Sequence, residues 1–142
     1  MALGQYIAGM GFSNVGLGIV HSMAHPLSAV YDIPHGVACA ILLTPVLKFN
    51  APSTADKYRD IAVAMGVKNT EGMSIEQARQ ACIEAVEKLS VDVGIPQKLT
   101  QLGVKEEDLQ FLSESAFVDA CTPGNPRDVS VEAIKEIYKS IM

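Results

Sequence analysis

Residues 21–36 read HSMAHPLSAVYDIPHG and contain every histidine of the chain: His21, His25 and His35. They also contain Asp32, the only charged residue among the first 47. His21 and His25 are four residues apart, so they share one face of a helix. His35 follows a turn that ends at Pro34. Outside this stretch the sequence offers no cluster of residues able to carry out chemistry, so any chemical function is expected to depend on residues 21–36.

Charge is distributed very unevenly around this stretch. Residues 1–47 carry one acidic side chain and no lysine or arginine, whereas residues 48–142 carry all the other acidic residues and every basic one. Exposed helix faces normally carry charge, so an uncharged segment of this length needs covering on nearly all sides. Residues 48–142 are too few to do so. We therefore expect a neighbour, which would be another domain, another subunit or an N-terminal part of the same protein.

Composition limits the class of protein. Hydrophobic residues make up 49% of the chain and charged residues 19%, which is typical of a globular domain. A net charge of −5 argues against nucleic acid or an anionic membrane as a partner. Residues 1–20 are apolar, but polar residues and five glycines make them a poor membrane span. No basic region precedes this run, so a signal peptide is not expected.

The three cysteines, Cys39, Cys82 and Cys121, are widely spaced and form no C-x-x-C pair. This pattern predicts neither a disulfide framework nor a cysteine zinc site. We interpret them as small buried apolar groups in a reducing compartment, and we expect a cytoplasmic protein.

The hydrophobic pattern predicts an all-α fold, because no sustained alternation of apolar and polar residues occurs anywhere. Helices are predicted at residues 2–12, 16–30 and 34–48. Pro26 should kink the second helix or place a turn there, and Pro45 should bend or end the third. The third helix is apolar all round, which is typical of a buried helix.

Ordinary amphipathic helices follow from residue 50 onward. One begins at Pro52-Ser53 and ends at Gly66, and the next begins with a capping box formed by Ser74 and Gln77. Further helices are predicted at residues 96–102 and 105–118, then a turn-rich loop (residues 121–127, CTPGNPR) and a last helix with an apolar stripe of Val131, Ile134, Tyr138 and Ile141. With no linker or repeat, residues 1–142 form a single helical domain.

Three interpretations of the histidines remain open. In the first, they are ordinary core or surface residues. In the second, one is the base for a nucleophile such as Ser22 or Ser28, although no G-x-S-x-G elbow is present. In the third, they bind a metal. Neutral imidazoles bind Zn²⁺ or Fe²⁺, and two histidines on one helix face are a common half-site. Asp32 is then either a ligand, an acceptor for an imidazole N–H, or simply a turn cap.

The glycines at positions 9, 11, 16 and 18 do not form a dinucleotide loop. The G-x-G-x-x-G fingerprint needs glycine where Asn14 stands, and no strand pattern precedes it. No cofactor-binding residue is therefore expected in this chain.

The segment GLGIVHSMAHPLSAVYDIPHGVACAILL (residues 16–43) resembles the histidine signature of the iron-dependent (group III) alcohol dehydrogenases. The resemblance runs from MALGQYIAGMGFSN to the TPGNPR loop. It implies an N-terminal α/β domain that binds NAD(P) and a C-terminal all-helical domain. A metal, usually Fe²⁺ and sometimes Zn²⁺, lies in the cleft between them and polarises a small alcohol or aldehyde for hydride transfer.

The same resemblance assigns roles to the histidines. The family's metal ligands are an aspartate and three histidines, of which the aspartate and one histidine lie upstream. The other two map onto His21 and His35, whereas His25 maps onto a histidine that lines the cleft near the nicotinamide and the substrate. Spacing alone would have paired His21 with His25.

The chain departs from the family pattern at several positions. Ser28 stands where glycine is usual, Cys39 where asparagine is common, and Pro123 where glycine is usual. The nucleotide-binding domain and the upstream ligands have no counterpart here. Two imidazoles leave the other coordination positions to water, so we expect weak metal binding and no NAD-dependent turnover from this chain alone. The alternative is a truncated, inactive module for helix packing or oligomerisation, whose exposed apolar face would favour self-association.

Overall fold

The computed structural model describes all residues, 1–142, and contains seven α-helices and no β-strand, which confirms the all-α prediction. Short 3₁₀ turns occupy several of the connections between helices. The helices are α1 (Ala2–Phe12), α2 (Ile19–Tyr31), α3 (His35–Asn50), α4 (Lys57–Ala64), α5 (Ile75–Asp92), α6 (Leu109–Phe117) and α7 (Val131–Lys139).

The main core lies between four helices. α2 packs against α3 and α6, α6 packs against α7, and α3 also contacts α7. Each large side chain that these helices bury contributes about 1.5–3 kcal/mol. The Tyr138 hydroxyl is also buried, and it donates to the Met23 carbonyl at 2.6 Å, which joins α7 to α2. The fully buried side chains include Ile19, Met23, Leu27, Leu42, Leu99, Leu109, Leu112, Ile134 and Tyr138.

A smaller core lies between α4 and α5. It contains Tyr58, Ala62, Cys82 and Ile83. The Tyr58 hydroxyl donates to the Leu47 carbonyl at 2.9 Å and so attaches this helix pair to α3. α5 begins with the predicted capping box, in which Ser74 and Gln77 each accept a hydrogen bond from the other's backbone N–H.

Two prolines lie inside helices rather than at their ends. α2 continues through Pro26 to Tyr31, and α3 continues past Pro45 to Asn50. The predictions of a turn at Pro26 and of an end at Pro45 are therefore wrong. Pro26 removes the hydrogen bond to the Ser22 carbonyl, but its ring is buried in the core, and packing on both sides keeps the helix continuous.

α3 is less buried than its sequence predicts. Six of its side chains are buried, whereas Leu43 is 39% exposed. By length and composition alone, His35–Ser53 would be able to cross a membrane. Its buried residues pack against α2, α5 and α7, as the residues of an interior helix do. One side of α3 thus lacks the cover that the sequence calls for.

α1 is the least covered element of the fold. None of its residues is buried, although its composition is almost wholly apolar. Leu3 is 71% exposed, Tyr6 61% and Ile7 55%. The structure therefore leaves the glycine-rich N-terminal helix without a partner surface within these 142 residues.

Candidate metal centre

The three histidines meet at the junction of α2 and α3. α2 ends at Tyr31, Asp32 adopts a left-handed conformation with φ of 54°, and Pro34 precedes the first residue of α3, His35. This short turn reverses the chain and folds the start of α3 back onto α2. The ring centroids of His21 and His35 lie 5.5 Å apart, those of His25 and His35 5.5 Å, and those of His21 and His25 6.4 Å.

His21 is the most enclosed of the three. It is partly buried, and its ring lies 6.5 Å from that of Phe12. Burial, followed by the neighbouring imidazoles of His35 and His25, lowers the pKa of His21. The neutral imidazole is the form that binds a metal, so this environment favours ligation over protonation.

Cys39 adds a second kind of donor, a sulfur, to the histidine cluster. Its Sγ lies 3.4 Å from His35 Nε2. One ligand atom each from His21, His35 and Cys39 lie within 4.8 Å of one another. Burial raises the pKa of the Cys39 thiol. Two imidazoles and a sulfur are a donor set that suits Zn²⁺ and is compatible with Fe²⁺, so the residues present fit a transition metal.

His25 points to a different partner. Its Nδ1 lies 2.8 Å from Asp119 Oδ2, and the Asp119 Oδ1 accepts from the Cys121 backbone N–H at 2.8 Å. Burial opposes ionisation of Asp119, but the hydrogen bonds from Cys121 and His25 outweigh it and hold the pKa of this carboxyl below its usual range. A carboxylate accepts only, so the proton of neutral His25 resides on Nδ1, and Nε2 carries the lone pair.

Asp32 belongs to neither group. It is exposed and caps the C-terminus of α2 in the left-handed region, where aspartate is tolerated better than most residues. Of the three roles that the sequence left open for Asp32, the turn cap is the one its backbone adopts.

Sequence reasoning missed Cys39, Asp119 and Cys121 as members of the site. Asp119 lies 94 residues from His25 along the chain, so no local pattern could connect them. Cys39 was detectable, because His35 and Cys39 are four residues apart on one helix, the same half-site spacing as His21 and His25.

The CTPGNPR loop is attached to the end of α3 and to the segment before α2. The Asn125 amide pairs reciprocally with the Asn50 amide at 2.8 and 2.9 Å, which ties the end of α3 to the loop. Arg127 donates to the Phe49 carbonyl and stacks on the Phe49 ring, with its guanidinium carbon 4.2 Å from the centroid. A Cβ on Gly124 would lie 2.1 Å from the Leu17 carbonyl oxygen, so the loop backbone packs directly against the segment before α2.

A shallow pocket of about 250 Å³ lies beside the His25–Asp119 pair. Ala29, Val30 and Phe111 are among the residues that line it, and most of its surface is apolar. His25 and Asp119 are themselves among the lining residues, so a small molecule in this pocket could reach His25.

Comparisons of sequence find relatives along nearly the whole chain. The model of the Fe-containing alcohol dehydrogenase family, C-terminal part, matches residues 1–142. The chain is 61% identical to lactaldehyde reductase of Escherichia coli over 138 residues, which cover 97% of this chain and 36% of that protein. It is 45% identical to 1,3-propanediol dehydrogenase of Citrobacter freundii, covering 98% of this chain and 36% of the relative. The chain thus spans about a third of the length of these relatives.

Solved structures agree with the fold. An alcohol dehydrogenase from Oenococcus oeni superimposes with a TM-score of 0.90 at 40% identity, over 95% of this chain and 35% of that one. A 1,3-propanediol oxidoreductase superimposes with a TM-score of 0.86 at 43% identity, over 89% of this chain and 33% of that one. Since the family model matches every residue from 1 to 142, the chain belongs to the Fe-containing alcohol dehydrogenase family.

Proposed function

We propose that this chain is the metal-side helical domain of an NAD(P)-dependent alcohol dehydrogenase or aldehyde reductase acting on a small alcohol or aldehyde. The observation that supports this most directly is the convergence of His21 and His35, whose rings lie 5.5 Å apart although they come from different helices. Relatives named for lactaldehyde, 1,3-propanediol and methanol make a short alcohol or aldehyde the expected class of substrate.

His21 and His35 would hold the metal, Fe²⁺ or Zn²⁺. When bound, the ion supplies Lewis acidity that polarises the substrate oxygen and lowers the pKa of an alcohol. His35 is exposed, so the side of the site away from the core is open to substrate. Burial and the neighbouring imidazoles lower the pKa of His21, which favours the neutral ring that can bind a metal.

His25 would act on the proton of the substrate rather than on the metal. Its Nδ1–H donates to Asp119, which leaves Nε2 able to accept the proton of an alcohol or to return one to an aldehyde oxygen. The pocket beside His25 gives a small substrate a place next to this nitrogen.

The nicotinamide cofactor would come with a separate domain. The chain covers about a third of its relatives, and its helices contain no phosphate-binding glycine loop. Residues 1–142 are accordingly one helical metal-binding domain, and the uncovered faces of α1 and α3 are where an N-terminal nucleotide-binding domain would pack. Neither nucleic acid nor a membrane is expected as a partner, and a cytoplasmic location is proposed.

A second candidate is an inert helical module for packing or oligomerisation. The apolar α1, none of whose residues is buried, favours it, because such a helix is suited to contact another protein surface. In that case the histidines would be without chemical consequence.

A hybrid enzyme separates the two candidates. We would replace the matching C-terminal third of E. coli lactaldehyde reductase with this chain and measure aldehyde reduction with NADH and with NADPH. Catalysis is expected in the hybrid and not in the isolated chain. His21→Ala and His35→Ala should each reduce kcat/KM at least about a hundredfold, because a lost ligand weakens metal binding severely. Lys68→Ala, a change at an exposed site, is the matched control.

A folded hybrid that stays inactive with added Fe²⁺ or Zn²⁺ would count against the enzyme assignment. So would a hybrid whose activity survives both histidine changes.

A further inference from the structure

We propose that Cys39 is a protein ligand of the metal beside His21 and His35, so that these three residues by themselves give this chain a zinc-preferring site. This inference rests on the proposed role of His21 and His35, and it adds a sulfur ligand and a choice of metal. Two imidazoles alone predict weak binding, whereas a third donor predicts stoichiometric binding by this chain even without the nucleotide-binding domain.

The distance between the donor atoms supports the assignment. A zinc ion binds an imidazole nitrogen at about 2.0–2.1 Å and a thiolate sulfur at about 2.3 Å, so a tetrahedral angle places the two donors about 3.6 Å apart. Cys39 Sγ and His35 Nε2 are 3.4 Å apart. The pair therefore already has the separation of two ligands on one ion.

The helices supply the remaining geometry. His35 and Cys39 are separated by one turn of α3 and share a face, which is the spacing of a helical half-site. His21 comes from α2, and its ligand atom lies within 4.8 Å of the other two. Three donors from two packed helices are therefore close enough to reach one ion. The site is accessible from solvent, since His35 is exposed.

Sulfur changes which metal the site prefers. Thiolate and imidazole ligands favour zinc, whereas Mg²⁺ and Mn²⁺ prefer carboxylates and water. On binding, the Zn–S bond replaces the S–H bond, and the thiol proton passes to the buffer. No electron is transferred, so no oxidant or reductant is needed beyond one that keeps the thiol reduced.

The other two cysteines do not compete for this role. Cys82 is fully buried in the small core between α4 and α5. Cys121 belongs to a separate group with His25 and Asp119. A simple thiol–imidazole hydrogen bond would also hold Cys39 near His35, and the experiment has to distinguish it from ligation.

Cobalt(II) provides the test, because it occupies zinc sites and a sulfur ligand gives it an intense charge-transfer absorption in the near ultraviolet. We would titrate Co²⁺ into the reduced 142-residue chain and record absorption for wild type, Cys39→Ser and Cys121→Ser. The expected result is one equivalent of Co²⁺ with the sulfur band in wild type and in Cys121→Ser, and loss of the band in Cys39→Ser. Zinc affinity, measured by competition with a chromogenic chelator, should fall at least about tenfold in Cys39→Ser, since even the loss of a group that only hydrogen-bonds a ligand costs that much.

The outcomes separate this inference from the proposed function. Cobalt binding that lacks the sulfur band, and that is lost in His21→Ala, would overturn the role of Cys39 and leave the histidine site standing. A band that is lost in Cys121→Ser but not in Cys39→Ser would overturn it as well. No binding at all to the folded wild-type chain would overturn Cys39 as a ligand, and the hybrid enzyme would then decide on the histidines by themselves.

Discussion

At the scale of single residues, the partner of each histidine determines what its ring can do. His25 Nδ1 faces a carboxylate, whereas His35 Nε2 faces a thiol. The rings are stacked with centroids 5.5 Å apart, yet one is set up to hold a proton on a defined nitrogen and the other to share a metal. Sequence spacing found the three imidazoles but not these two partners.

Replacing Asp119 should reverse the tautomer of His25. In Asp119→Asn, the amide oxygen can keep the hydrogen bond from Cys121, which turns the amide NH₂ toward His25 Nδ1. Nδ1 must then accept, and the proton moves to Nε2. Imidazole ¹⁵N chemical shifts in the metal-free chain measure this directly. Asp128→Asn, at an exposed position, should leave the His25 shifts unchanged, and unchanged shifts in Asp119→Asn would contradict the assignment.

Ser28 carries a hydroxyl that the fold does not use. Its Oγ is buried and has no hydrogen-bond partner. An unpaired buried hydroxyl costs about 1–3 kcal/mol, so Ser28→Ala should raise the free energy of unfolding, by about 1 kcal/mol after the change in packing. Ser22 is the matched control, because its Oγ lies 2.8 Å from Thr122 Oγ1, and Ser22→Ala should destabilise by about 1 kcal/mol. Urea unfolding midpoints measure the stability of both variants. An equal loss of stability in Ser28→Ala and Ser22→Ala would contradict the prediction that only the Ser22 hydroxyl is stabilising.

At the scale of elements, the order of the helices followed from the sequence, but residues 96–102, predicted as a short helix, form only a 3₁₀ turn at Leu99–Leu102. Helix periodicity and the Ser74–Gln77 box are local, so they were readable. Pro26 was expected to kink its helix or place a turn there, and Pro45 to bend or end its helix. Tertiary packing keeps both helices continuous, which excludes the turn and the end. Asp119 was unreadable because its contact with His25 exists only once α2 and α6 have packed together.

The loop between α6 and α7 should be sensitive to a single added methyl group. The Cβ of Gly124→Ala would lie 2.1 Å from the Leu17 carbonyl oxygen, and backbone on both sides must move to relieve this. The loss of stability should be about 1–3 kcal/mol, as for other overpacked sites. Gly72→Ala is the control, since nothing lies within 4 Å of its Cβ. Thermal unfolding of both variants tests this, and equal midpoints would contradict the close packing of the loop.

At the scale of the whole molecule, two buried tyrosines make the fold sensitive to alkali. Burial raises the pKa of Tyr58 to about 12, and it raises the pKa of Tyr138 as well. An unfolded tyrosine titrates near pH 10, so the unfolded chain loses its protons first as pH rises. Stability is therefore intact below about pH 10 and falls between about pH 10 and 12.

Tyr58→Phe should make that fall shallower. At neutral pH the variant should lose about 1 kcal/mol, because the hydrogen bond to the Leu47 carbonyl is gone. Above about pH 10 its stability should decline less steeply than that of wild type, with Tyr138 accounting for the remaining slope. Urea unfolding across this pH range gives both quantities. If the unfolding free energies of the two proteins changed with pH in the same way, Tyr58 would not be protected from ionisation as its burial implies.

The uncovered helix α1 is expected to make the isolated chain self-associate. An isolated helix shorter than about 12–15 residues is marginal in water, and α1 has 11 residues, three of them glycine. It buries nothing within the chain, so its helical state requires a surface to pack on. In the isolated chain the only such surface is another copy.

We expect self-association that orders α1, seen as a rise in mass by light scattering together with slower amide hydrogen exchange at residues 2–12. Leu3→Gln with Ile7→Gln should abolish both effects without lowering the unfolding free energy of the core, whereas Lys68→Ala should change neither. A monomer at all concentrations, with α1 amides protected regardless, would mean that α1 is stable without a partner and that the uncharged N-terminal third needs no neighbour.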